Sequence, residues 1–514
     1  MIVPRILLKL YQKSVIHSLE HALESPMEAQ EKVLNRILRS AKNTLFGKKY
    51  KFAEIKTSED YAERMPLMTY KDYKPFIDQI LNGQQNVLFP DKVVWWVKSS
   101  GTTGKPKLYP ISERRIKMDQ TASARVFLSY ATRREDTYKM LNGKALFFAA
   151  PSVTGMIDKI PVGYISGVLA AKQNLILKRF VIPSIDVLNL EDIKTKYLLT
   201  LKSVTMNKVT ALVGVSPFLI SLIRHYYLLD EEIGLPMTFE NENFYERAIL
   251  HAMWKDLMVM IWSGASISPY KRWIQEYIGD IDYAETYTAS EGFFGQQIDE
   301  TEGALLNIDQ YHFMFVREED LAKPNPRKYL LDEVKKGTTY LMLFSSETGF
   351  YSYNIGDLIE FVTLDPPRVK VKGRTGKLIN IATEKMPEET INAAIAYASQ
   401  ATDAIIEEYT VCPVIEDSGS FYQFFVEFKK LPKSQTQFIE LIDEYLKSVN
   451  DVYKLVRESE IIGLPRMVTV VSDTFRKIEH TLIEQGKALG QMKIPHLLLD
   501  NVSFRLLTQE VFEE

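Results

Sequence analysis

The chain of 514 residues contains one cysteine, Cys412, and seven histidines. A lone thiol forms no intramolecular disulfide, and without a Cys-x-x-Cys pair there is no cysteine framework for zinc or an iron–sulfur cluster. Neither sign of charge dominates. Lys and Arg total 63 against 66 Asp and Glu, a formal net charge of −3, which excludes a general electrostatic bias toward nucleic acid or an anionic membrane. No apolar run approaches the ~18 residues that read as a membrane span. The opening stretch, MIVPRILLKLYQKSVIHSLEHALE, is interrupted by Arg5, Lys9 and Lys13. It therefore predicts an amphipathic helix packed on the body of the protein rather than a secretory signal. With no signal and a single thiol, a cytoplasmic protein is expected.

What is present is an ordinary globular composition, 46% hydrophobic and 25% charged, enough for a sizeable core. Residues 1–98 carry apolar side chains at helical spacing (Leu34, Ile37, Leu38, Leu45) and end in an alternating segment, Val93 to Val97, that suits a strand. From 143 to 300 the pattern is strand, turn, helix, repeated. Ala145–Ala150, Val209–Val215 and Leu257–Trp262 are short apolar runs of the kind found in buried parallel strands. Ser216 and Pro217 supply an N-cap and first-turn proline for a helix over 218–229, and Ser268 and Pro269 repeat the device before a helix stopped by Gly279.

Beyond residue 338 the character changes to short strands at Tyr340–Phe344, Phe350–Tyr353, Leu358–Val362 and Val369–Val371, an antiparallel unit. Gly373-Arg-Thr-Gly376 breaks that pattern and marks a boundary. The remainder reads as a compact α+β module: helix 388–400, strands 404–411 and 421–428, helix 435–449, strand 467–471 and helix 472–485. Tyr422, Phe424, Val426 and Phe428 share one face of their strand, which a small core requires. The expectation is an α/β protein. Its large, mostly parallel-sheet N-terminal domain with an antiparallel unit spans 1–375, and its smaller α+β C-terminal domain spans 376–514.

The segment Lys98-Ser-Ser-Gly-Thr-Thr-Gly-Lys-Pro-Lys107 is the strongest local signal. Ser99, Ser100, Thr102 and Thr103 supply hydroxyls, Gly101 and Gly104 open the backbone, and Lys105 or Lys107 adds compensating charge, a composition suited to wrapping phosphate oxygens. The Walker A spacing is absent. A surface turn is the plain alternative; the upstream strand and flanking lysines favour phosphate binding.

That segment resembles the Ser-Ser-Gly-Thr-Thr-Gly-x-Pro-Lys loop of the adenylate-forming enzymes. Two later segments match in order: Tyr287-Thr-Ala-Ser290-Glu291 is similar to the family's Tyr-x-x-Ser/Thr-Glu element, and Tyr353-Asn-Ile-Gly-Asp357 to its Tyr-x-x-Gly-Asp element. Within that superfamily the chain is most similar to the auxin-responsive (Gretchen Hagen) acyl-acid amido synthetases. The likeness includes Met65-Pro-Leu-Met-Thr-Tyr70 and the tail Gln491-Met-Lys-Ile-Pro495, against that family's Gln-Tyr-Lys-x-Pro-Arg. Met492 stands where the family has Tyr and His496 where it has Arg, which puts the tail's contacts in question.

The resemblance implies a site. Ser99 to Gly104 and Lys107 would hold the phosphates, with Ser290 in the second motif. Tyr287 would stack on adenine, Gly264, Ala265 and Ser266 would lie along it, and Asp357 and Arg374 would face the ribose. Glu291 would hold Mg²⁺ through the phosphates, since magnesium keeps several waters and takes few protein ligands. Lys493 occupies the place of the mobile-domain catalytic lysine; Lys487, after Gly486, and Lys377 compete with it. An acyl pocket would draw on Val215, Phe218 and Phe293. Each residue also has a plain reading: solvated acids for Glu291 and Asp357, a core tyrosine for Tyr287, a strand-end cap for Arg374.

The function expected is ATP-dependent adenylation of a carboxylic acid, then transfer of the acyl group to an amino acid amine. Transfer to coenzyme A, or nucleotide binding without turnover, is the alternative. The partners expected are a small carboxylic acid and an amino acid, with ATP and Mg²⁺ as cofactors and no nucleic acid. His17-Ser-Leu-Glu-His21 matches an inverted zinc-protease pattern but reads as helix surface. His225, His251 and His312 read as structural, and Cys412 as buried and inert.

Overall fold

The computed structural model describes residues 5–99, 107–173, 178–190, 192–226, 228–229, 242–264, 267–321, 323–375, 378–379, 381, 384, 386–416, 419–458, 461–478 and 495–498. The chain forms two compact units. The first comprises 1–237, 256–264 and 281–371; the second comprises 238–255, 265–280 and 372–514.

The first unit is built on a sheet with two halves. Val181–Ile182, Lys144–Phe148, Val209–Val215, Val259–Ser263 and Asp282–Thr288 are neighbours in that order, all paired in parallel. The order then continues through Phe293–Gln296, Ala304–Leu306, Arg368–Arg374, Phe350–Thr363, Thr339–Ser346 and His312–Arg317. From Asp282–Thr288 to Phe293–Gln296 the pairing turns antiparallel. Val209–Val215 falls where the apolar run predicts it, because a strand covered on both faces is largely apolar; its buried Thr210 donates its hydroxyl to the Met140 carbonyl at 2.6 Å. The helix after it is Ser216–Arg224, and the Ser216 hydroxyl donates to the Ser263 carbonyl of the neighbouring strand at 3.2 Å.

One expectation is corrected in the antiparallel half. Phe350–Tyr353 and Leu358–Val362 are not separate strands but ends of a single strand, Phe350–Thr363. Its partner Thr339–Ser346 absorbs the irregularity through register shifts between Leu341 and Leu343 and between Phe344 and Ser346. The glycine of the third motif therefore bends a continuous strand instead of ending it.

A smaller sheet orders Leu108–Ile111, Trp95–Lys98, Ile160–Gly163 and Gly155–Ile157. An aromatic cluster fills the core beneath the third motif: Phe344 lies 4.6 Å from Phe294, 5.4 Å from Phe350 and 5.7 Å from Tyr353 between ring centroids. Rings of this size carry much of a core's burial free energy, and truncating one to alanine costs about 3–5 kcal/mol. The helix Arg5–Glu24 buries Leu8, Ile16, Leu19 and Ala22, while His17 and His21 point outward.

In the second unit the helices Glu388–Thr402 and Gln435–Val449 accompany a sheet ordered Ile405–Glu416, Gly419–Lys430 and Arg466–Thr469. Tyr422, Phe424 and Val426 are buried in one cluster with Phe428 packed against it, the face the alternation predicts. Cys412 is buried. The segment 495–498 docks along Ile405–Glu416: the Val411 N–H donates to the His496 carbonyl at 2.9 Å and the Leu498 N–H to the Val411 carbonyl at 2.8 Å. The His496 ring lies between Tyr270 (3.0 Å, Nε2) and Tyr409 (3.1 Å, Nδ1).

Candidate active site

Open parallel sheets place ligands outside the carboxyl ends of their strands. Here that edge collects Val215, Gly264 and the turn after Thr288, since Val215 pairs with Ser263 and Trp262 with Glu285. Gly264 has φ +88°, and a Cβ there would stand 3.0 Å from Val215 Cγ1. A side chain would be strained and crowded at once, so the backbone stays bare. Ala265 and Ser266 lie outside the described residues.

The hydroxyl-rich segment is the loop of a hairpin. Trp95–Lys98 and Leu108–Ile111 pair antiparallel, and the hairpin is closed by the Ser99 N–H donating to the Lys107 carbonyl at 3.0 Å. The Lys107 N–H donates to the Ser99 hydroxyl at 3.3 Å. Lys107 Nζ sits 5.4 Å from the Tyr70 ring, whose hydroxyl accepts from the Leu108 N–H at 3.0 Å. The rest of the loop, Ser100, Gly101, Thr102, Thr103 and Gly104, lies outside the described residues. Lys98 ends the strand that enters the loop. Its Nζ lies 4.7 Å from the Tyr164 ring, and partial burial lowers its pKa.

Ser290 and Glu291 form the tip of a tight hairpin, with the Ala289 N–H donating to the Gly292 carbonyl at 2.8 Å. Glu291 is buried, and its Oε1 accepts from the Tyr109 hydroxyl at 2.6 Å. Burial first, then the Glu291 carboxylate, pushes the Tyr109 pKa far above the ordinary tyrosine range, so this hydroxyl stays a donor. Arg115 reaches the same turn from the helix Glu113–Arg133, donating from Nη1 to the Glu291 carbonyl and from Nη2 to the Ser290 carbonyl at 3.4 Å.

The third motif is positioned by the first ~70 residues of the chain as well as by its own strand. The Met68 N–H donates to the Ser352 carbonyl at 3.0 Å and the Asn354 N–H to the Met68 carbonyl at 2.8 Å, making a bridge from Met68 to Tyr353. Gly356 has φ +91°, and its N–H donates to Asn354 Oδ1 at 2.7 Å. The bend delivers Asp357, buried, to Tyr287, whose hydroxyl donates to Asp357 Oδ2 at 2.9 Å. Two residues 70 apart, picked from separate motifs, thus meet directly. The Tyr287 ring is 5.1 Å from Phe294 and belongs to the core.

The remaining candidates are dispersed. Phe218 is partly buried in the helix following Val215. Phe293 is buried at the start of its strand, its N–H donating to the Tyr311 hydroxyl at 3.1 Å. Arg374 is exposed at the end of its strand. Lys493, Lys487 and Lys377 lie outside the described residues.

Family models match three stretches of the chain: a GH3 family N-terminal domain over 15–234, a central domain over 304–374 and a C-terminal domain over 389–502. The chain belongs to the GH3 family. A GH3 relative named jasmonoyl–L-amino acid synthetase JAR4, from Nicotiana attenuata, is 21% identical over 94% of this chain and 93% of its own length. A putative indole-3-acetic acid-amido synthetase, GH3.9 of Arabidopsis thaliana, is 23% identical over 98% and 97%. Among solved structures, a GH3.15 acyl acid amido synthetase in complex with 2,4-DB superposes with TM-score 0.77 at 17% identity, covering 97% of this chain and 96% of that one. A 2-hydroxyisobutyryl-CoA ligase in its postadenylation state reaches TM-score 0.58 at 14% identity, covering 98% and 92%. These likenesses establish the fold of the adenylate-forming enzymes. No helix among the described residues of this GH3 protein is long and apolar enough to cross a membrane.

Proposed function

We propose that this GH3 protein is an ATP-dependent acyl-acid amido synthetase working in two half-reactions. In the first, a substrate carboxylate oxygen attacks the α-phosphorus of ATP, giving an acyl-adenylate as pyrophosphate leaves. In the second, an amino acid's neutral amine attacks the acyl carbonyl, the amide forms, and AMP leaves as the amine gives up a proton. The observation that carries this reading is the meeting of Tyr287 with Asp357 at 2.9 Å, which joins two of the three motifs at the carboxyl edge of the parallel strands.

The residues then take roles by chemistry. Asp357 would accept hydrogen bonds from the ribose, with Tyr287 fixing its orientation and flanking the adenine beside Gly264, Ala265 and Ser266. Ser99 to Gly104 and Lys107 would cradle the phosphates, and Ser290 would lie with them. Arg374 would approach the ribose, and Val215, Phe218 and Phe293 would shape the acyl pocket. Magnesium fits Glu291, because Oε1 is taken by Tyr109 while Oε2 has no hydrogen-bond partner among the described residues. When bound, the ion would neutralise charge on the leaving pyrophosphate. Lys493 would meet charge developing at the α-phosphate. Residues 376–514, as a domain distinct from 1–375, would move between the half-reactions and exclude water from the adenylate. The cytoplasm is the compartment we assign, on the lone thiol.

Carboxylate-dependent ATP–pyrophosphate exchange tests the first half-reaction, and amide formation with a panel of amino acids tests the second. Absence of exchange across a broad acid panel refutes the assignment. Exchange followed by thioester with coenzyme A, and by no amide, would replace it with a ligase of the other kind.

A further inference from the structure

Glu291 is gripped by one short stretch of chain that no motif includes. Tyr109, on the strand Leu108–Ile111, donates its hydroxyl to Glu291 Oε1 at 2.6 Å. Arg115, in the first turn of the helix Glu113–Arg133, donates to the main-chain carbonyls of Ser290 and Glu291. Both are fully buried, at 0% and 1% exposure. Only Leu108 separates this stretch from the closing pair of the phosphate loop, Ser99 and Lys107.

The charge arrangement argues against a merely structural pair. Arg115 Nε donates to both carboxylate oxygens of Asp119, at 2.9 and 2.8 Å, and Asp119 is 1% exposed. A buried ion pair is weak evidence for stability, since apolar replacements of like volume are often neutral or better. What the pair does supply is a neutralised, rigid guanidinium fork whose remaining donors point at the Ser290–Glu291 turn. A lysine has no such fork.

We propose that Tyr109 and Arg115 are positioning residues that hold Glu291 at two points, carboxylate and main chain, so that Oε2 is left for Mg²⁺. The proposal rests on the reading of Glu291 as the magnesium ligand. It ties Glu291 to the strand that follows the Ser99–Lys107 closing pair.

Calorimetric titration with non-hydrolysable β,γ-methylene ATP, with Mg²⁺ and with EDTA, measures how much magnesium tightens nucleotide binding. Wild type should show a clear gain. Tyr109→Phe and Arg115→Lys should each lose roughly tenfold of it, the scale of one hydrogen bond to a charged group, while binding in EDTA stays unchanged. The double variant Arg115→Met/Asp119→Leu removes both buried charges, keeps the packing and should lose the gain equally, with its melting temperature as control. Either single variant retaining the full gain removes that residue from the clamp. If both retain it while Glu291→Gln abolishes it, the clamp is overturned and the metal reading stands. If Glu291→Gln retains the gain, the metal reading falls and the clamp with it.

Discussion

Tyr287 separates two accounts of its motif. The resemblance assigns its ring to adenine, whereas the structure also gives its hydroxyl a definite task, donating to Asp357 Oδ2 at 2.9 Å with both residues 5% exposed. Tyr287→Phe removes the hydroxyl and keeps the ring against Phe294. A hydrogen bond to a charged group in such a setting is worth about 1.5–3 kcal/mol. At 1.36 kcal/mol per decade, that is roughly a ten- to hundredfold loss in kcat/KM for ATP. The assay is pyrophosphate exchange at saturating acid, with ATP varied. The loss should fall mainly on KM for ATP and leave KM for the acid unchanged, while the melting temperature drops modestly because a buried hydrogen bond is lost. Tyr287→Leu should lose more and also destabilise the protein, because it empties part of the core. If Tyr287→Phe is kinetically silent while Tyr287→Leu is not, the hydroxyl has no part in orienting Asp357 for the nucleotide, and only the ring matters.

Gly356→Ala forces a side chain to φ +91°, at about 1–2 kcal/mol, and should lower the melting temperature and raise KM for ATP together, since the same bend places Asp357. His312 is buried with Nε2 3.0 Å from the Ser58 hydroxyl and Nδ1 without a partner among the described residues, and burial pulls its pKa from 6.5 down to about 3. The unfolded chain binds that proton first as pH falls, so stability is lost between about pH 6.5 and 3, by roughly 2 kcal/mol at pH 5. Urea denaturation of wild type and His312→Gln at pH 7 and 5 should show the variant less sensitive to acid by that amount; equal slopes refute it. Lys493→Ala should slow pyrophosphate exchange by ~10²-fold or more, as loss of one electrostatic donor does, with Lys487→Ala near wild type. The reverse ranking transfers the role to Lys487.

Much of this fold is legible because local and global demands agree. Val209–Val215 is apolar at its buried positions except Thr210, whose hydroxyl is satisfied by the Met140 carbonyl, so run and strand coincide. Gln435–Val449 is likewise found where its helical periodicity predicts. The third motif reads as a break between two strands because Asn354 and Gly356 are turn residues by propensity, yet pairing of Asn354 with Leu343 and of Leu358 with Leu341 carries one strand across the bend at Gly356. Local propensity lost to tertiary pairing. Arg115 and Asp119 were invisible because an Arg–Asp pair at i,i+4 on a helix is ordinarily a solvated surface pair. Nothing local announces that this one is buried beneath a turn 175 residues away.

The scarcity of histidine and cysteine also takes on a structural meaning. Adenylation needs no protein nucleophile, because the bonds that break belong to ATP and to the adenylate; what the protein must supply is charge held in fixed places. The two carboxylates assigned to that work, Glu291 and Asp357, are each bound by a buried tyrosine, at 2.6 Å by Tyr109 and 2.9 Å by Tyr287. A phenol suits this better than a cation would. It donates one hydrogen bond that fixes the carboxylate's rotamer and brings no opposing charge. An arginine or lysine in the same place would neutralise the acid and compete with the metal. On the proposed assignment, tyrosine in place of a cation lets both acids be buried and oriented without a cation competing for their ligands.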